Sequence, residues 1–96
     1  MKLLVSPQAT RDIEAIADYI AEENPHAALK VVDAIEHGLQ RLIAHPFSGM
    51  PREDIGAGIR HVVAGHYLSL YRVTDDAVVV LRVLHGKRRI DPEAMG

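Results

Sequence analysis

Val78-Val79-Val80-Leu81-Arg82-Val83-Leu84 runs directly into His85-Gly86-Lys87-Arg88-Arg89, so a hydrophobic segment interrupted by one arginine ends in a histidine, a glycine and three cations. A branched, apolar run of this length, preceded by Thr74-Asp75-Asp76 and closed by Gly86, reads as a strand over 78–85. Positive charge is thereby delivered at a strand end. Cations fixed at the mouth of a rigid sheet suit a phosphate or carboxylate partner, whereas scattered cations would only aid solubility.

Working upstream, 66–73 and 59–63 are also rich in branched and aromatic residues, with turn signals at Ala64-Gly65 and Thr74-Asp75-Asp76. Two successive hairpins make these three strands an antiparallel meander. Gly49, Pro51, Gly56 and Gly58 give 47–58 the composition of a long loop. Asn24-Pro25 and Ser6-Pro7 each combine an N-cap with a proline at the first helical position. The first helix extends to about Glu23, burying Ala9, Ile13, Ile16, Ala17 and Ile20. The second extends to His45-Pro46, with Ala28, Val31, Val32, Ile35, Leu39, Leu42 and Ile43 on one stripe. Almost nothing separates them, so they fold back as an antiparallel hairpin. A short strand over 2–5 opens the chain. The expected fold is α+β, strand-helix-helix-strand-strand-strand, with the helical hairpin packed on a mostly antiparallel sheet. The sheet edge taken by the first strand is not readable from the sequence.

A length of 96 residues predicts one domain over 1–96, burying roughly 60–70% of the surface of the unfolded chain. With only four aromatic residues and no Trp, its core rests on Ile, Leu, Val and Ala and leaves little room for a cofactor; none is expected. The absence of cysteine excludes disulfides and thiolate metal sites and fits a reducing compartment, so a cytoplasmic location is expected. Met1-Lys2-Leu3-Leu4-Val5 is too soon interrupted to be a signal peptide, and no apolar run is long enough to span a bilayer. The net charge of −2 conceals a polarity: 1–57 carries five Lys or Arg against nine Asp or Glu, and 58–96 carries six against four.

Alternation places Arg82 on a face with Val78, Val80 and Leu84, and Arg72 on a face with Leu68 and Leu70. Each arginine is either functional or a stem covering apolar surface with its head in water or on a carboxylate. Arg60 is a candidate phosphate ligand or the partner of Glu53 or Asp54. The six histidines show no metal-binding spacing, and no metal is expected. His85 is the histidine best placed to carry a proton or contact a phosphate, or else to cap the sheet through the backbone. Gly86-Lys87-Arg88 lacks the remainder of a P-loop, and no Ser, Cys or carboxylate pair is placed for catalysis.

Taken in order, His45-Pro46, Gly49, Gly58-Ile59-Arg60, Gly65-His66-Tyr67, Leu70-Tyr71-Arg72-Val73 and Leu81 through Arg89, preceded by a helical hairpin, resemble the ParE branch of the RelE/ParE toxin superfamily. The resemblance covers essentially the whole chain. It implies a bacterial type II toxin, held by a ParD-like antitoxin and poisoning DNA gyrase when free. It also implies operator DNA contact through the antitoxin and no membrane partner. Target-binding candidates are Arg60, Arg82, His85, Lys87, Arg88 and Arg89. Tyr19 and Leu29, on the margins of their helical stripes, are candidates for an antitoxin groove, or are half-buried core.

The RelE branch, whose members cleave ribosome-bound mRNA, is the alternative. Arg88 matches its late arginine. Leu68 stands where RelE proteins carry a strand arginine, Ala94 where they carry a C-terminal catalytic tyrosine, and no tyrosine follows Tyr71. Other nuclease branches use histidine, which keeps His66 and His85 in view. A third reading is an inactive homologue that only binds antitoxin.

Overall fold

The computed structural model describes residues 1–87. The chain forms β1 (Lys2–Val5), α1 (Pro7–Ala21), α2 (Pro25–Ala44), β2 (Met50–Pro51), β3 (Arg60–Ala64), β4 (Tyr67–Val73) and β5 (Ala77–His85). Both expected caps are formed. Ser6 Oγ accepts the Ala9 N–H at 3.0 Å and Asn24 Oδ1 accepts the Ala27 N–H at 3.0 Å, satisfying donors that a helix start leaves open. The Ser6 hydroxyl also donates to the Leu81 carbonyl at 3.0 Å, which ties the start of α1 to the middle of β5.

The sheet order is β1-β5-β4-β3-β2. β1 lies at the edge beside β5, parallel to it, and the β3-β4-β5 meander is antiparallel. Gly65 has φ +58°, the positive value that the two-residue connection between β3 and β4 favours at its first position. The helices cover one sheet face, where Ile35, Leu39 and Leu42 of α2 and Ala9 of α1 meet Tyr71, Val78, Val80 and Val83. On the other face Ile55 and Ile59, carried by the segment after β2, cover Leu70 and Leu84. The segment expected to be a plain loop therefore contributes a two-residue edge strand and closes a second, smaller core. Pro51 is tolerated there because an edge position needs no N–H on its outer side.

Strict alternation along β5 does not hold. Leu70 pairs with Arg82 but Tyr71 pairs with Val80, so Leu81 is an extra residue in a β-bulge. The bulge puts Val83, rather than Leu84, on the helix side with Val78 and Val80; Leu84 packs on the opposite face. The expected shared face of Val78, Val80 and Leu84 is corrected accordingly. Among the described residues no helix is long and apolar enough to cross a membrane.

Candidate functional site

The bulge determines where the basic strand end points, and α1 holds the bulge in place. Asp12 accepts from Arg82 Nε at 2.7 Å, from Arg82 Nη2 at 3.0 Å and from the Val83 N–H at 3.0 Å. Both side chains are nearly out of water, at 12% and 14% exposure, and the Asp12 hydrogen bonds hold Arg82 still more firmly protonated. Arg82 is thus committed to a carboxylate within the fold, the second of the two roles its sequence position left open.

Two residues beyond the Asp12 contact, His85 lies edge-on to Tyr67 with ring centroids 5.4 Å apart and stacks at 6.0 Å on His66. Its Nδ1 accepts the backbone N–H of Lys87 at 3.1 Å. In the neutral ring this leaves the proton on Nε2, so His85 offers an N–H donor and its one basic nitrogen is already taken. Tyr19 of α1, 76% exposed, lines the same groove of about 280 Å³ together with Tyr67 and His85. A residue singled out for the antitoxin and one singled out for the target are therefore neighbours. Lys87 is exposed beside them, while Arg88 and Arg89, like Ala94, lie outside the described residues.

Leu29 sits elsewhere. It is exposed on α2, in a groove of about 540 Å³ between the helices whose apolar floor includes Ala21 and Val32 and whose rim carries Asp18, Asp33 and Glu36.

Arg60 is also remote from His85. It pairs across the sheet with Tyr71, whereas His85 pairs with Tyr67 on the other side of β4, four residues and so roughly 13 Å along the strand direction and two strand spacings across it. Its Nη1 donates to the carbonyls of Phe47 at 3.1 Å and Gly49 at 2.7 Å, and its guanidinium lies 5.2 Å from the centroid of the Phe47 ring. The ion pair expected for Arg60 with Glu53 or Asp54 is not formed. Arg52 takes Asp54 instead, through two bonds of 2.9 Å, and its Nη1 donates to His61 Nδ1 at 3.1 Å. Beside Arg60, the buried Tyr71 hydroxyl donates to the Pro46 carbonyl at 2.7 Å and accepts the Gly49 N–H at 3.0 Å; burial raises its pKa. A Cβ on Gly49 would run into that hydroxyl and come within 2.7 Å of the His61 carbonyl, so only glycine fits.

Sequence reasoning missed Asp12 and Arg52. Asp12 was detectable: three residues after Ala9 and four before Ile16, it is a carboxylate inside an apolar stripe, where a cationic partner is to be sought. No comparable pattern marked Arg52.

Leu68, which the resemblance sets against an arginine of the RelE branch, shares its face with Leu70 and pairs with Leu84 on the side away from the helices. Its partner on the other side is Val63, so both residues paired with it are apolar. Arg72, at its far end, donates from Nε to the Ala57 carbonyl at 3.3 Å.

Residues 3–90 match the family described as the ParE toxin of the type II toxin-antitoxin system parDE. Toxin ParE1 of Mycobacterium tuberculosis is 30% identical over 92 residues, covering 94% of each chain. Toxin RelE3 of Caulobacter vibrioides is 28% identical over 86 residues, covering 88% of this chain and 94% of its own. Among solved structures, a chain of the chromosomal ParDE toxin-antitoxin system from P. aeruginosa superposes with a TM-score of 0.75 at 28% identity, over 88% of this chain and 95% of that one. Capped helical hairpin, five-stranded sheet and sequence agree: the chain belongs to the ParE toxin family of type II toxin-antitoxin systems.

Proposed function

We propose that this protein, when free of a ParD-like antitoxin, inhibits DNA gyrase and so blocks replication, acting by binding rather than by cutting RNA. The observation that carries the reading is the apolar face around Leu68. Scission of a phosphodiester needs cations at the phosphate and groups that move a proton. On that face Leu68 pairs instead with Leu84, which packs with Leu70, and the His85 Nδ1 accepts the Lys87 N–H. The basic strand end, with His85, Lys87, Arg88 and Arg89, is then a binding element for the target. Arg82 supports it from behind through Asp12, and Arg60 braces the loop at the other end of the sheet.

The antitoxin is the protein's partner in this reading, with Tyr19 and Leu29 as two of its contacts. Operator DNA is reached only through it, and the pair acts in the cytoplasm. Inducing the chain without its antitoxin tests the function. Filamentation, DNA-damage signalling and gyrase-linked breaks are expected, together with loss of supercoiling by purified gyrase. Rapid translation arrest with cut mRNA would establish the nuclease instead, and undisturbed growth would establish an inactive homologue.

A further inference from the structure

We propose that the groove between the C-terminal end of α2 and the outer edge of β3 seats an extended, acidic segment of the antitoxin, which adds a strand to the sheet there. The inference rests on the reading of the chain as an antitoxin-controlled toxin and extends it to a surface that neither Tyr19 nor Leu29 touches.

The edge is open for a definite reason. Among the described residues β2 pairs with β3 only at Arg60 and His61, which leaves 62–64 with a strand partner on the β4 side alone. Continued antiparallel pairing would bring Gly49 opposite Val62. The Gly49 N–H is instead held by the Tyr71 hydroxyl and its carbonyl by Arg60, so the chain's own backbone is drawn off the edge. An unpaired edge strand is a template for another strand, with main-chain bonds supplying affinity and alternate side chains supplying specificity. Val63 and Met50, 58% and 63% exposed, offer apolar contacts along it.

The groove beside the edge, about 510 Å³, selects the chemistry of the incoming strand. Gly38 leaves it room, and among the described residues its lining includes Arg41, His45 and Ser48 but no carboxylate. His61 pairs opposite Leu70, so its ring turns to the face away from the helices, where Arg52 Nη1 donates to its Nδ1. A carboxylate entering the groove would meet the permanent Arg41 cation. The interhelical groove around Leu29 is rimmed by three carboxylates and repels such a segment, and a second copy of this chain would bring the same cations against themselves.

The test uses the whole toxin and the antitoxin encoded beside it. Amide exchange at 62–64 should slow on complex formation. Arg41→Glu, an exposed change checked by its melting curve, should weaken antitoxin binding roughly tenfold or more, the worth of a charge-assisted hydrogen bond. It should leave growth arrest by the free toxin intact, and an acidic-to-Lys change in the antitoxin should restore binding. Unchanged exchange at 62–64 with affinity within about twofold of wild type would overturn the proposal while leaving the toxin reading standing. Protection at 62–64 in a self-associated toxin alone would overturn it in favour of a second copy. An antitoxin that does not bind the wild-type chain would overturn both.

Discussion

At the scale of single residues, the decisive groups are those that fix where others point. Asp12 compensates both the Arg82 guanidinium and the Val83 N–H where the bulge has displaced them. Asp12→Ala should cost about 3 kcal/mol, the scale of stranding one partner of a buried pair, and Arg82→Met in the same chain should recover much of it; urea titrations of the single and double variants measure both. His61 supplies a pH dependence of definite sign. Its folded pKa lies below the usual imidazole value, so the unfolded chain takes up the proton more readily. Stability from this group is complete above about pH 6.5 and is lost as pH falls through the folded pKa. His61→Gln should therefore flatten the rise of urea midpoint with pH over that acid window, and parallel curves for the two proteins would show that His61 is not the titrating group.

At the scale of elements, the segment from Pro46 to Ile59 is the least regular part of the described residues and among the most constrained. The Tyr71 hydroxyl bonds Pro46 and Gly49, and Arg60 bonds Phe47 and Gly49. Tyr71→Phe leaves a half-buried carbonyl and a buried N–H without their partner and should cost about 1–3 kcal/mol in thermal or denaturant unfolding. Gly38 is the contrasting case. It lies within α2, and a Cβ there would meet nothing within 4 Å, so Gly38→Ala should stabilise by about 0.5–1 kcal/mol through helix propensity, read as a higher melting temperature. The two helices and the meander were legible because their signals are local: Ser-Pro and Asn-Pro caps, one apolar stripe each, turn residues between branched runs. The bulge was not. Apart from Arg82, residues 78–84 are apolar on both faces, so an extra residue at Leu81 leaves no trace in the pattern. The cover over Leu70 was half legible, because Ile55 is an isoleucine inside the glycine-rich loop, whereas Ile59 reads as the start of the next strand. The partners of Arg60 and Arg52 were out of reach, since carbonyl ligands have no sequence signature.

At the scale of the whole molecule, the charge polarity along the chain becomes a polarity in space among the described residues. The helical hairpin carries the acidic rim around Leu29, and β5 ends at His85 with Lys87 exposed beside it. The candidate cations of the sequence therefore separate: Arg82 and Arg60 are tied to groups within the fold, and the proposed function assigns the strand end to the target. Tyr19 and His85 share a groove, so an antitoxin seated on Tyr19 would cover His85 and the approach to the strand end. The test of this division is Arg88→Ala with Arg89→Ala. Among the described residues the buried core ends at Leu84, so the double variant should unfold within about 0.5 kcal/mol of wild type and still bind antitoxin. Growth arrest and inhibition of gyrase supercoiling should both be lost, and the wild-type inhibition should itself weaken as salt is raised, because exposed charges act through a screened field. Full toxicity in the double variant, with salt-independent inhibition by the wild type, would place the target-binding surface away from the strand end.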